Sequence, residues 1–247
     1  MSWQPLDCHA HTTLSDGALS PEQLVETVRA RGVRPSIADH ISTDIALGIK
    51  SAKAAREYLD VIEGLDVNRA AEFCFHDPLW RELPNDIMDR FTHRIGSLHA
   101  VSIGGGQWVH AFARSLPDGL SLAAYLESFV ATLEWFAREM PVDILAHPTL
   151  LTTAVRQLPY EDVWTDAHEE RIIEALHVAG IAFEISSRYR PHERIVRRAI
   201  QRGVRISLGS DGHRLEQVGD IAFSLETARS LGVAESELYD PAVHGRR

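Results

Sequence analysis

Two pairs of metal-type residues, each pair one residue apart, stand near the two ends of the chain: His9 with His11, and Asp211 with His213. Each pair follows a short apolar run, residues 3–6 in the first case and 204–208 in the second. In a strand, residues i and i+2 share a face, so each pair aims its two side chains at one point. Metal coordination is the chemistry that uses such an arrangement. Further candidates close or lie within strand-like runs: Asp39-His40 after residues 33–38, Glu72 within 67–73, His99 after 94–98 and His147 after 142–145. In α/β barrels, the carboxyl ends of strands converge on one face, where active sites are built.

The elements that must position these residues alternate between strand-like and helical runs, the pattern of βα repeats around a parallel sheet. Seven strands are expected, ending near Cys8, Asp39, Phe73, His99, His147, Ile185 and Gly209. Right-handed crossovers would close them into a barrel with the candidate ligands at one mouth. The first helix opens at Ser20-Pro21-Glu22-Gln23, where Ser20 caps, Pro21 suits the first turn and Gln23 completes a capping box; Gly32 ends it. Later helices are expected at 43–59, 122–140, 167–179, 192–202 and 220–231. Residues 76–92 are irregular, with Pro78 and Pro84, and Gly104-Gly105-Gly106 reads as a turn into an inserted strand or loop. The triplet lacks the spacing of a phosphate-cradling loop. The terminal segment 231–247 is expected to fray.

A chain of 247 residues with 45% hydrophobic content suits one α/β domain spanning 1–247. The formal net charge of -10 argues against nonspecific nucleic-acid or membrane-surface binding, while leaving room for anionic substrates where a metal supplies positive charge. No run reaches the length of a membrane span. Two cysteines, Cys8 and Cys74, are too few for a disulfide framework, and with no apolar signal core at the start a cytoplasmic location is expected. Both are read as buried residues rather than thiolate ligands.

The ordered pieces His9-Ala10-His11-Thr12-Thr13-Leu14-Ser15-Asp16-Gly17, Ala38-Asp39-His40, Ile95-Gly96-Ser97-Leu98-His99, Ile144-Leu145-Ala146-His147-Pro148 and Ser207-Leu208-Gly209-Ser210-Asp211-Gly212-His213 resemble the PHP (polymerase and histidinol phosphatase) superfamily over nearly the whole chain. The resemblance implies a distorted seven-stranded TIM-like barrel and two or three divalent metal ions. Carried over by position, His9, His11, Glu72 and Asp211 would hold the first ion. Glu72, His99 and His147 would hold the second, and Asp16, His40 and His213 the third. The family often has Gly-x-Glu at the bridging carboxylate. Here Ala70-Ala71-Glu72 competes with Gly64-Leu65-Asp66, and Glu72 is favoured because it follows a β-like run.

Imidazole and carboxylate shells suit zinc, manganese or iron. Two ions sharing Glu72 would generate a metal-bridging hydroxide for in-line displacement at phosphorus, so hydrolysis of a small phosphorylated substrate is the expected reaction. Histidinol phosphate and a nucleotide are both candidates, and the insertions at 76–89 and 104–118 are expected to choose between substrates. Asp211 and His213 are expected to act catalytically together with Arg190 and Arg188, which follow the sixth strand and could bind phosphoryl oxygens bidentately. Arg190 is favoured over Arg188. Glu184 is expected to orient a ligand histidine. His76 and His110 lie in the insertions and could line the pocket, whereas His168 and His177 are expected to face solvent. Two other functions remain open: a noncatalytic module stabilised by metal, and a metal-dependent amidohydrolase. Neither Lys50 nor Lys53 sits at a strand end, as the carbamylated lysine common in amidohydrolases would.

Overall fold

The computed structural model describes residues 3–245. Six parallel strands form one sheet in the order β1 (Ser36–Ile41), β2 (Asn68–Cys74), β3 (Ile95–Ser97), β6 (Ile144–Leu145), β7 (Ala182–Ser186) and β8 (Ile206–Gly209). Between β3 and β6, β4 (Ala100–Gly104) and β5 (Gln107–His110) pair as a separate antiparallel hairpin. Every residue of β1, β7 and β8 is buried, as expected for parallel strands covered by helices.

Six strands are regular where seven were expected, and residues 5–11 take the place of the first. This segment is bonded on both sides. Towards β1, Arg34 N donates to Pro5 O (2.8 Å), Asp7 N to Arg34 O (3.0 Å) and Ala38 N to Ala10 O (2.8 Å). Towards β8, Cys8 N donates to Leu208 O (2.9 Å), Asp211 N to His9 O (2.8 Å) and His11 N to Gly212 O (2.9 Å). Pairing that changes neighbour so often leaves isolated bridges at Leu6 and Ala10 rather than a ladder. Because both edge strands reach the same segment, the sheet is curled.

The helices follow the sequence closely, with two exceptions. Ser20 caps Pro21–Ala30 through the full capping box with Gln23, and later helices run at Leu122–Glu139, Asp166–Ala179, Glu193–Arg202 and Ala222–Ser230. The helix expected at 43–59 starts only at Ala52 and runs to Ile62, with Ser51 as its cap. Residues 43–44 are instead drawn to the buried carboxylate of Asp77. The terminal segment is docked rather than frayed. Tyr239 is buried and its N–H donates to Ile206 O (2.8 Å), Asp240 pairs with Arg34 (2.6 Å), and Pro241–His244 is helical. Arg246 and Arg247 lie outside the described residues.

Gly104-Gly105-Gly106 forms the turn of the β4–β5 hairpin, with all three glycines at positive φ, where a side chain would be strained. Among the described residues no helix is long and apolar enough to cross a membrane. Cys8 and Cys74 are free and buried.

Candidate metal centre

The strand ends and following loops bring all nine candidate ligands together around Glu72. Its carboxylate is 1% exposed. Oε1 lies 3.1 Å from His147 Nε2 and 3.3 Å from His99 Nε2, and Oε2 lies 3.0 Å from His40 Nδ1 and 3.3 Å from His9 Nε2. Asp66 is elsewhere, almost fully exposed and paired with Arg29. The alternation that aims Glu72 inward is that of β2, whose register places it opposite His40 of β1.

Three overlapping groups have ligand atoms within 4.8 Å of one another: His9, His11 and Asp211; His40, Glu72 and His99; and His11, Asp16, His40 and His213. The first holds His9, His11 and Asp211 without the Glu72 expected in that set, and the third holds the expected Asp16, His40 and His213 with His11 added. In the second, His40 takes the place assigned to His147, although His147 still meets Glu72 on its other oxygen.

These side chains fit a cation better than they fit one another. Glu184 Oε1 lies 2.8 Å from His9 Nδ1, which makes Nδ1–H the donor and turns Nε2 towards Glu72 Oε2 as the nitrogen that would hold an ion. That nitrogen stands 3.3 Å from Glu72 Oε2 and 3.0 Å from His11 Nε2, a cluster that calls for positive charge. Burial alone would lower His9, but Glu184 and Glu72 outweigh it and raise the imidazole well above its ordinary pKa, so a proton there supplies the charge that a metal ion would bring. His11 Nδ1 and His147 Nδ1 are also buried without a hydrogen-bond partner. Burial, reinforced by the nearby charges of His40 and His213, pushes the His11 imidazole down to about 3, leaving it neutral and able to donate a lone pair. Burial alone would raise Glu72, but the charges of His40, His99 and His9 outweigh it and hold the carboxyl well below its usual range.

A surrounding ring of buried carboxylates fixes the loops. Glu184 serves two ligands at once: Oε1 takes the His9 bond, and Oε2 accepts the His147 N–H at 2.7 Å. Asp39 shares β1 with His40 but turns away from the centre, accepting from Thr12 N (2.8 Å) and Thr12 Oγ1 (2.7 Å) and from Ser15 Oγ, so it anchors the loop from His9 to Asp16. Asp7 accepts from Ser210 N (2.9 Å), Ser210 Oγ (2.6 Å) and Gly219 N (3.0 Å), anchoring the loop that carries Asp211. Burial raises both Asp7 and Asp39 to about 6 despite these bonds. Apart from Glu184, these anchors escaped the sequence reading; the only signal for Asp39 was its place beside His40, on the opposite face of a strand.

Among the described residues three other than glycine have positive φ, and all lie at this end of the sheet: His147 (33°), Arg190 (36°) and Asp211 (49°). Left-handed backbone is costly for a side-chain-bearing residue and is kept where surrounding bonds enforce it. The bonds here are His147 N to Glu184, Arg190 N to Ser186 O (2.9 Å) and Asp211 N to His9 O (2.8 Å).

The two arginines differ in placement. Arg188 reaches the centre: Nη1 donates to Asp211 O (3.3 Å) and Oδ1 (3.4 Å) and lies beside the His213 ring, whose Nδ1–H donates to Asp211 O (3.0 Å). Arg190, favoured from sequence, has its guanidinium over the Phe223 ring (5.0 Å), and its Nε donates to Ser187 O (3.2 Å). Left-handed backbone at Arg190 turns the chain, so neighbours two apart no longer share a face. Cys74 Sγ lies 3.1 Å from His99 Nδ1, which places the cysteine behind a candidate ligand.

The architecture is an α/β fold with a curled parallel sheet and a histidine-rich centre at the carboxyl ends of its strands. The fold is shared with solved structures. A histidinol phosphate phosphatase from Lactococcus lactis subsp. lactis, determined in complex with zinc, L-histidinol and phosphate, superposes with a TM-score of 0.68 at 16% identity, over 96% of this chain and 95% of that one. A Listeria monocytogenes protein named for histidinol phosphatase gives a TM-score of 0.71 at 14% identity, over 87% of this chain and 97% of its own. At these identities the likeness is one of fold. No family model and no curated protein matches the sequence.

Proposed function

We propose that the protein is a metal-dependent phosphoesterase of the PHP type, acting on a small phosphorylated molecule. The observation that carries this reading is the convergence of four imidazoles on the two oxygens of Glu72, with Arg188 at the edge of the same cluster. A shared carboxylate is what a site for adjacent divalent ions needs, and a neighbouring guanidinium is what a phosphoryl group needs.

His9, His11, Glu72 and Asp211 would hold one ion, Glu72, His99 and His147 a second, and Asp16, His40 and His213 a third. Zinc, manganese and iron all suit this donor set. When bound, such ions lower the pKa of water towards neutrality and neutralise charge developing on phosphoryl oxygens. The chain's own residues supply orientation. Asp211 Oδ1 accepts a hydrogen bond from the attacking water. Its carboxyl is a poor proton acceptor: burial would raise it, yet the bond from His11 and the charges of His9 and His147 hold it well below the usual range, so it orients rather than deprotonates. Arg188 Nη1 donates to Asp211 O (3.3 Å) and Oδ1 (3.4 Å), which holds the guanidinium against the centre, while His213 Nδ1–H donates to Asp211 O (3.0 Å) and leaves Nε2 for an ion. The remaining edge of Arg188, whose side chain is 38% exposed, meets the substrate phosphate. Arg190 stays available as a second, outer phosphate contact if its side chain leaves Phe223.

Histidinol phosphate is the first substrate to test, because the solved fold relative binds L-histidinol and phosphate. The test is phosphate release from a panel of phosphomonoesters and phosphodiesters, with metals counted and a His9→Ala variant alongside. Turnover that disappears in the variant is expected. Full metal loading with no turnover on any ester would overturn the reading and favour a noncatalytic module or C–N hydrolysis.

A further inference from the structure

A fourth group of ligand-type side chains, Asp44, His76 and His110, also brings its ligand atoms within 4.8 Å of one another and shares no residue with the centre around Glu72. It repeats part of that centre one tier further out along the chain. Asp44 follows His40 by four residues, His76 follows Glu72 by four, and His110 pairs across the hairpin with Ala100, the residue after His99. The segments that supply His40, Glu72 and His99 to the floor therefore supply a second set at the rim.

The rim set is held in place. Asp77, itself 3% exposed, accepts from Ser42 Oγ (2.7 Å), Thr43 Oγ1 (2.9 Å) and Asp44 N (3.2 Å) through one oxygen, and from Leu79 N (2.9 Å) through the other. It thereby ties the loop bearing Asp44 to the turn bearing His76. The His76 side chain is 9% exposed and packs near Trp108, on the hairpin that carries His110. One oxygen of Asp44 faces both imidazoles, 3.1 Å from His76 Nε2 and 3.7 Å from His110 Nδ1, and the two rings meet edge to face at 5.3 Å. A chance surface ion pair requires neither two imidazoles from separate segments on one carboxylate oxygen nor a buried carboxylate dedicated to the backbone behind it.

We propose that Asp44, His76 and His110 form a separate binding site for one divalent transition metal ion, distinct from the centre around Glu72. Two imidazoles and a carboxylate are a donor set for zinc and its first-row neighbours. Side-chain exposures of 40% at Asp44 and 49% at His110 leave the outward coordination positions to water or to an anionic ligand. The site stands whether or not the centre hydrolyses phosphate esters.

The probe is zinc. Chelator-stripped protein is dialysed to equilibrium against buffered zinc at neutral pH and counted by mass spectrometry, for the unsubstituted chain, His110→Ala and Asp44→Asn, with circular dichroism to confirm folding. His110 is exposed on the hairpin, so its substitution leaves the core intact. Each variant is expected to hold one zinc equivalent fewer than the unsubstituted protein. In a His11→Ala background, where the inner centre is damaged, adding His110→Ala is expected to remove one further equivalent. Equal zinc counts in the unsubstituted protein and both folded rim variants would overturn the proposal; a change in substrate KM with equal counts would make the triad a substrate contact instead.

Discussion

A Cβ atom placed on Gly209 would fall 2.1 Å from Glu184 Oε1. That oxygen also takes the His9 Nδ1 bond, and its partner oxygen holds the His147 backbone in its left-handed turn. Glycine at the end of β8 is thus a condition for two ligand positions on other segments.

Gly209→Ala should therefore behave as a metal-site mutation although position 209 touches no metal. Glu184→Gln should do the same more gently, retaining shape but losing the charge behind His9. Loss of a group that orients a ligand typically costs roughly 10–100-fold in metal affinity or activity. Zinc affinity by competition with a chromophoric chelator is the measurement, and unchanged affinity in both variants would remove Glu184 from the role given it here.

Arg188→Ala should lower kcat/KM for phosphate esters by roughly 10–100-fold, the equivalent of losing a charge-assisted hydrogen bond of about 1.5–3 kcal/mol. Arg188→Lys should recover only part, because an ammonium cannot reproduce the fork. Arg190→Ala should cost less than Arg188→Ala, since Arg190 rests on Phe223. Steady-state kinetics on the three variants decides the order.

Removal of the ions should destabilise the fold, since Glu72 and the facing imidazoles would be left without the charge that reconciles them. A ligand present at 1,000 times its Kd adds about 4 kcal/mol to stability. Thermal melts with chelator should fall and recover on adding zinc or manganese. A melt indifferent to chelator would show that the cluster binds nothing tightly.

Acid should weaken the protein through His93, which is not among the candidate ligands. This imidazole is fully buried beneath the sheet, with Nε2 at 3.0 Å from Cys8 O, and burial lowers its pKa to about 4 against 6.5 for an exposed histidine. Because the folded value is the depressed one, the stabilising contribution is complete above about 6.5 and is lost as the pH falls towards about 4. The shift corresponds to something on the order of 3 kcal/mol. Urea titrations across this range should show the slope in the unsubstituted protein and a shallower one in His93→Gln.

The clustering of the candidate ligands was legible because strand alternation converts a spacing of two into a shared direction, as at His9 and His11. Glu72 could be preferred to Asp66 on the same ground, since only one of them lay within a strand-like run. What escaped was whatever depended on partners distant in sequence. Asp39 and Asp7 hold Thr12 and Ser210 across the barrel, and nothing local distinguishes such anchors from ligands. The ordering of Arg188 before Arg190 turned on one left-handed residue, which side-chain spacing does not reveal. The missing first turns of the helix at 43–59 trace to Asp77, again a carboxylate from another segment.

The segment at residues 5–11, stitched to both edges of the sheet, also sets a timetable. His9 and His11 are made long before Asp211 and His213, yet each pair is useless without the other, and the backbone bonds that align them join His9 to Asp211 and His11 to Gly212. A growing chain therefore cannot assemble the first ion's ligands until nearly all of its barrel has emerged, and the entropy of closing so long a loop is met in that one late step. Uptake of that first ion would then follow synthesis, and a truncated product lacking the last strand would be left with no complete set of ligands for it.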